Sequence, residues 1–242
     1  MRMLRFIGVL SILATFLSGC SGSNDAEVRW RMTVEVDTPE GLRSGSSVWS
    51  WRMSRPTLAL ASGYNGKFRG EAVAVDLPNG KTLFALIKDQ EQIPERQFRE
   101  LRTPRKEEDR LADLRDIARH LGETRKMPCV SRGESNLPAY EFDCPMLVSF
   151  ADLDDPTSVF EVNYHDAAAT LGQGYAIRAI KATITDDDVT VGIEERMPVE
   201  FFRKWGAVYR RELSKGSVLD NPFYDSFAGK LNKNDFTTEP AK

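Results

Sequence analysis

The strongest constraint on the fold is the alternation of side chains along residues 28–36. Apolar residues occupy every second position of this segment: Val28, Trp30, Met32, Val34 and Val36. Successive side chains of a β-strand point to opposite faces of a sheet, so the pattern is typical of a strand with one face in the core. A turn at 38–41 and strand-like residues 46–53 predict that this strand begins a hairpin.

A second hairpin is predicted from the turn Pro78-Asn79-Gly80, which separates the apolar runs 71–77 and 81–87. Asn-Gly favours a tight hairpin because both residues tolerate positive φ. We therefore expect the first third of the chain to form an antiparallel four-strand meander. Gly63, Gly66 and Gly70 are expected in an exposed loop between the two hairpins.

Helical periodicity is clearest over residues 106–121, where one apolar stripe is formed by Leu111, Leu114, Ala118 and Leu121. A shorter helix is expected over 95–101 and an aromatic-faced helix over 198–213. Further strands are predicted at 146–153, 159–162, 175–185 and 190–193, with one or two helical turns at 165–171. The sum is an α+β fold: an antiparallel sheet, built from the N-terminal hairpin meander and C-terminal strands, with one or two packed amphipathic helices.

The first residues have the pattern of an export signal. Arg2 and Arg5 precede an apolar run over residues 6–17, which is shorter than the roughly 20 residues that a membrane-spanning helix needs. The run ends in Leu17-Ser18-Gly19-Cys20, which resembles the lipobox of bacterial lipoproteins. The alternatives are an ordinary signal peptide with a chance cysteine and a buried first helix.

The lipobox resemblance implies cleavage before Cys20 and attachment of acyl chains to it, which would hold the protein on a membrane. Residues 1–19 would then be a signal peptide and residues 20–27 a lipidated tether. Ser21, in place of Asp, favours the outer membrane, facing the periplasm. We expect a single domain over 28–230 and a frayed tail over 231–242.

Cys129 and Cys144 are an even pair that remains once Cys20 is lipidated. In an oxidising compartment such a pair predicts a disulfide, which would close a loop of about 15 residues and contribute roughly 3 kcal/mol in the chain-entropy model. A redox or metal pair is the alternative. The spacing is not C-x-x-C, and no further ligand is nearby in the sequence.

The sequence carries no assembled catalytic set. It lacks G-x-S-x-G, H-E-x-x-H and a phosphate-binding loop, and it has only two histidines. Asp152, Asp154 and Asp155 are weak candidates for a Ca²⁺ site, but they lack the Gly and the distal Glu of an EF-hand loop, and we expect a strand end followed by an Asp-Pro turn. His165 beside Asp166 has the pattern of a base held by a carboxylate, but we expect a histidine at a helix start or on the surface, because the sequence places no nucleophile near it.

Two other groups have a structural and a functional interpretation. Asp186, Asp187 and Asp188 are expected in a solvated loop between strands. Trp30, Trp49 and Trp51 could form a stacking surface for sugars or lipid, although we expect Trp30 and one of the other two in the core. The net charge of −3 gives no electrostatic basis for binding nucleic acid.

Three segments together resemble an uncharacterised family of bacterial envelope lipoproteins: GEAVAVDLPNGKTLFALI, LVSFADLDDPTSVFEV and IRAIKATITDDDVTVGIEERMP. The resemblance covers most of residues 28–198. It implies a family and a compartment, and it assigns no functional residue because the family has no established activity.

The expected function is therefore a lipid-anchored binding or scaffolding role in the cell envelope, with no cofactor and with an envelope protein as the possible partner. One alternative is a periplasmic hydrolase that uses carboxylates such as Asp152 and Asp154. The other is a small-ligand binding module with its pocket between the sheet and the 106–121 helix.

The predicted disulfide between Cys129 and Cys144 can be tested by counting free thiols. Ellman's reagent is expected to find no free thiol from Cys129 and Cys144 in protein that has been exported and then denatured without a reductant. Two free thiols would contradict the disulfide.

Overall fold

The structure, a computed structural model, describes residues 24–56, 63–106, 109–129, 144–215 and 221–238. Within these ranges the strands are β1 (Asp25–Thr38), β2 (Gly41–Ser54), β3 (Asn65–Arg69), β4 (Val73–Asp76), β5 (Thr82–Ala85), β6 (Thr124–Lys126), β7 (Leu147–Phe150), β8 (Val159–Glu161) and β9 (Ala176–Ile184). The α-helices are α1 (Ile93–Gln97), α2 (Arg110–Ala118), α3 (Ala168–Leu171), α4 (Val199–Leu213) and α5 (Pro222–Asp225).

The strands form two antiparallel sheets, so the predicted α+β class is confirmed. One sheet has the order β3-β2-β1-β9-β6 and the other has the order β4-β5-β7-β8. The two predicted hairpins, β1-β2 and β4-β5, are both present. They belong to different sheets, however, and the prediction of one continuous four-strand meander is wrong.

The first core lies between the two sheets. The even-numbered residues of β1 are all buried, as the alternation predicts. They meet Val73, Val75 and Leu83 of the second sheet, and α2 closes this core. Leu111, Leu114 and Ile117 of α2 are each at most 2% exposed. These side chains fill the space between helix and sheet in which the small-ligand alternative requires a pocket.

The second core lies on the opposite face of the four-stranded sheet. Phe84 and Phe150 point to this side, and α4 covers them with Phe201 and Trp205. The ring centroids of Phe150 and Phe201 are 5.2 Å apart, and those of Phe150 and Trp205 are 6.2 Å apart. The aromatic face predicted for the 198–213 helix is therefore a packing surface.

The helix over 106–121 is shorter than predicted. Asp109 caps α2 by accepting the N–H groups of Leu111 and Ala112, each at 3.2 Å. The helix ends at Ala118, so Leu121 lies beyond it and is 54% exposed. Ile117 takes a place in the buried stripe.

Strand β3 occupies the segment that we expected to be an exposed glycine loop. A Cβ atom on Gly66 would overlap the Trp51 ring, and one on Gly70 would overlap the Trp49 ring. These glycines permit close packing of indole rings on the backbone. The predicted short strand at 190–193 is absent, because a 3₁₀ turn begins at Ile193.

Both ends of the predicted domain are more ordered than expected. Strand β1 begins at Asp25, so residues 25–27 belong to the sheet and not to the tether. Residues 231–238 are not frayed. Leu231 and Phe236 are at most 1% exposed, and the Ala72 N–H donates to the Phe236 carbonyl at 2.7 Å. Most residues of the tail are polar, but its two apolar residues, Leu231 and Phe236, pack in the core.

Truncation of Phe236 tests the role of the tail. Phe236→Ala is expected to lower the free energy of unfolding by about 3–5 kcal/mol, because a fully buried aromatic side chain leaves a cavity. Asn234→Ala removes an exposed side chain nearby and should change it by less than about 0.5 kcal/mol. Equal effects of the two variants in urea titrations would mean that the tail is frayed.

Candidate functional site

The aspartates proposed for Ca²⁺ lie in a turn and are engaged there. Asp152 accepts the Asp154 N–H at 2.8 Å, and Asp155 accepts the Thr157 N–H at 2.9 Å as the cap of a 3₁₀ turn. Asp154 forms an ion pair with Lys204 at 3.1 Å. Among the residues that the structure describes, no group of three or more His, Cys, Asp or Glu side chains is placed to hold a metal ion.

His165 and Asp166 do not form a base and its positioning carboxylate. Asp166 accepts the Ala169 N–H at 3.2 Å at the start of α3. The His165 ring lies against Tyr164, with centroids 5.1 Å apart, and is exposed. The residues line a cleft of about 510 Å³ beside Cys129 and Cys144.

Cys129 and Cys144 are brought together as the sequence predicts. Their Cα atoms are 5.1 Å apart and their sulfur atoms are at bonding distance. Cys20, the predicted signal peptide over residues 1–19 and the start of the predicted tether lie outside the described residues. In the part of the chain that is described, no helix is both long and apolar enough to cross a bilayer.

The tryptophans are mainly core residues. Trp30 and Trp49 are fully buried and in edge-to-face contact at 6.1 Å. Trp51 is partly buried against the same core. The loop with Asp186, Asp187 and Asp188 is pinned to the outer face of β1, because Arg31 pairs with Asp187 and Arg29 pairs with Asp188.

Glu71 is a buried carboxylate that sequence reasoning missed. Its side chain is 2% exposed, at the start of β4. The carboxylate accepts the Ile193 N–H at 2.8 Å and lies 3.5 Å from the Thr237 hydroxyl. Burial raises the pKa of Glu71 above its usual 4.5, and the nearby charge of Glu194 adds to this, although hydrogen bonds from Ile193 and Gly192 oppose it. The sequence of residues 71–77 indicates a strand, and it carries no signal that the Glu71 side chain is buried.

The Glu71 carboxylate stabilises a turn in the loop that precedes α4. Gly192 has a φ of 125°, a conformation that L side chains rarely adopt, and it starts the 3₁₀ turn Ile193–Glu195. Gly192 has no side chain that can cap this turn, and Glu71 supplies the acceptor from another element. The loop is thereby turned away from β2.

A polar cleft of about 320 Å³ lies beside this turn. One wall is the first half of β2, over residues 43–47; the others are β4 with Glu71 and residues 190–196. The cationic side chains on its walls are balanced: Arg196 pairs with Asp76 at 2.8 Å, and Arg43 pairs with Glu40 at 3.2 Å. We call this site the Glu71 cleft.

The wall formed by β2 is an open sheet edge. Val48 exchanges two hydrogen bonds with Thr190: its N–H donates to the hydroxyl at 2.8 Å, and its carbonyl accepts the Thr190 N–H at 3.1 Å. On the opposite side the Arg55 N–H donates to Asn24 of the chain that leads into β1. Odd-numbered residues of β2 thus bond towards β1, and the even-numbered Leu42, Ser44 and Ser46 direct their main-chain groups outwards.

Nothing in the described part of the chain bonds to the outward N–H and C=O groups of Ser44 and Ser46. Both residues are exposed. Strand β3 pairs only with Ser50–Ser54, and the 190–196 loop leaves the edge after Thr190. The site therefore presents main-chain donors and acceptors at strand spacing, beside a cleft whose two arginines are each paired with an acid.

No protein-family model, curated protein or solved structure matches this chain. A function must therefore be proposed from the geometry of the Glu71 cleft and from the sequence motifs.

The buried charge of Glu71 predicts a pH-dependent effect of Glu71→Gln. A raised pKa means that the folded state binds more protons than the unfolded state between pH 4.5 and the folded-state pKa, so native stability falls as the pH rises through that window. Glutamine has no such cost. The stability of the variant relative to the native protein should therefore rise between pH 4 and pH 7 in urea titrations.

Glu195→Gln removes an exposed carboxylate from the same turn and is the matched control. A Glu71→Gln difference that stays constant over this pH range would show that the carboxylate is not destabilised by burial.

Proposed function

We propose that the protein is a lipid-anchored binding protein of the bacterial cell envelope, held on the outer membrane and facing the periplasm, and that it acts on a protein partner without catalysing a reaction. The open β2 edge in the Glu71 cleft is the observation that supports binding. The Leu17-Ser18-Gly19-Cys20 motif supports the anchor. The segments quoted above support membership of a family of envelope lipoproteins.

The buried carboxylates favour binding over hydrolysis, because each has a structural task. Asp116 is 4% exposed and accepts the Thr103 N–H at 2.9 Å and the Arg119 guanidinium at 2.8 Å. Asp235 accepts the Asn232 N–H at 2.7 Å in a capping box. Glu71 caps the 193–195 turn. A hydrolase that uses two carboxylates needs them to face one substrate.

The two alternatives have less support. The hydrolase alternative relied on Asp152 and Asp154, whose oxygens accept a turn N–H and the Lys204 ammonium group respectively. The small-ligand alternative relied on a space between the sheet and α2, which is filled by Leu111, Leu114 and Ile117.

The anchor is tested with Cys20→Ser in cells fed labelled palmitate. The native protein is expected to incorporate the label and to sediment with outer-membrane vesicles, and Cys20→Ser is expected to do neither, because serine has no thiol for the thioether. Ser18→Ala keeps a small residue before the cleavage point and should label normally. Palmitate that enters Cys20→Ser would refute the anchor site.

The binding role is read from the same strains treated with a cleavable cross-linker. The native protein and Ser18→Ala should give one discrete adduct of higher mass, which is reduced in Cys20→Ser because the protein is no longer held beside its partner. The absence of an adduct from the native protein would count against a binding role and leave the anchor unaffected.

A further inference from the structure

The Glu71 cleft carries an inference that rests on the binding role proposed above and names the kind of partner. We propose that the cleft binds an extended peptide segment of another protein, which adds as a strand to the β2 edge at Ser44 and Ser46.

The β2 edge is complementary in its hydrogen bonds to an extended main chain. The outward groups of Leu42, Ser44 and Ser46 present alternating donors and acceptors, two residues apart along β2. Only another extended main chain offers acceptors and donors with the same repeat. Thr190 already occupies the next position along this edge: its N–H donates to the Val48 carbonyl, and its hydroxyl, in place of a main-chain carbonyl, accepts the Val48 N–H.

The fold leaves the main-chain groups that precede Val48 along β2 open to a partner. Beyond Thr190 the chain could have continued along β2 and covered the edge. Instead Gly192 and the Glu71 carboxylate turn it into the 193–195 turn. The Glu71 carboxylate holds this turn by accepting the Ile193 N–H, and the result is a cleft with one wall of unpaired main chain among the described residues.

The apolar side chains at the ends of the edge and the charges beside it restrict which peptide fits. Two exposed large apolar side chains lie at its ends: Leu42 is 49% exposed and Val191 is 52% exposed. The arginines Arg43 and Arg196 are paired with acids, and the walls carry the hydroxyls of Ser44 and Ser46. The exposed carboxylate of Glu195 also lines the cleft, so these features suit a peptide without acidic residues in its central portion and with apolar residues towards both ends. From Leu42 to Val48 such a peptide would span about 20 Å.

The position of β4 limits the approach of the partner. Strand β4 passes close beneath the edge, since a Cβ atom on Gly45 would overlap the Ala74 carbonyl oxygen. Because β4 lies below and the 190–196 loop lies at one end, the partner must reach the edge from the side of the cleft, whose volume is about 320 Å³.

The test uses the protein expressed with its own N-terminus and purified in mild detergent, so that its result does not depend on where the protein is anchored. The probe is a displayed library of linear ten-residue peptides, from which the most enriched sequence is synthesised. Ser44→Pro and Ser46→Pro remove outward N–H groups and leave the bonds to β1 in place. Each should weaken binding of this peptide at least tenfold.

Lys126→Pro is the matched control. Lys126 is exposed on β6, the opposite edge strand of the same sheet, and its neighbour Met127 donates its N–H to Ile180 of β9, so the Lys126 N–H points outwards in the same way. Binding by this variant should be unchanged.

Methylation of single peptide nitrogens tests the geometry without altering the protein. Strand addition predicts that methylation at alternate positions abolishes binding and that methylation at the positions between them is tolerated. An empty selection, binding that survives both serine-to-proline variants, or loss of affinity without this two-residue period would overturn the proposal.

Two further outcomes would replace the peptide with another occupant. A dimer in sedimentation experiments that Ser44→Pro dissociates would assign the edge to a second copy of the chain. If Ser44→Pro without peptide lowers the melting temperature much more than Lys126→Pro does, the edge is already paired within the chain. Either result would overturn the peptide proposal. The envelope binding role would be unaffected, because cross-linking tests it separately.

Discussion

Burial of the four-stranded sheet on both faces is the constraint on which the rest of the structure depends. Residues 83–86 of β5 and its extension are all at most 1% exposed, and they alternate between the two cores. Leu83 and Ala85 meet the five-stranded sheet, and Phe84 and Leu86 meet α4 and the tail. Hairpins of antiparallel sheets commonly leave one face in water. A sheet that exposes neither face needs a cover on each side, and α4 with Phe236 provides the second cover.

The Glu71 carboxylate links this layered core to the surface. It lies where the start of β4, the loop before α4 and the tail at Thr237 meet. An apolar side chain could fill the same space, but only an acceptor can hold the Ile193 N–H and so fix the path of the loop. The loop path in turn decides how much of the β2 edge is covered. The cleft is thus a by-product of how the second core is closed.

Much of the architecture follows from side-chain pattern. The strict alternation along β1, the Asn79-Gly80 turn and the aromatic repeat of α4 each predicted the element that the structure contains. These signals are local, because each reports which face of one element is apolar. The division of the hairpins between two sheets is not local, and the apolar run 81–87 is equally consistent with a strand in either sheet.

The remaining differences have a similar origin. Gly66 and Gly70 read as loop residues because glycine usually marks a turn, whereas here they make room for indole rings from β2. The tail read as frayed because Phe236 stands among polar neighbours. Glu71 and the open edge could not be predicted, since burial of a charge and the outward direction of a main-chain group depend on register and on partners distant in sequence.

The contact between Cys129 and Cys144 has a consequence for the unfolded chain. Cys129 follows β6 of the larger sheet by three residues, and Cys144 precedes β7 of the smaller sheet by three. A disulfide at this point joins the two sheets covalently. The link persists when the chain unfolds, so the ends of these two strands stay close together in the unfolded state, and less conformational entropy is lost when the two sheets pack again.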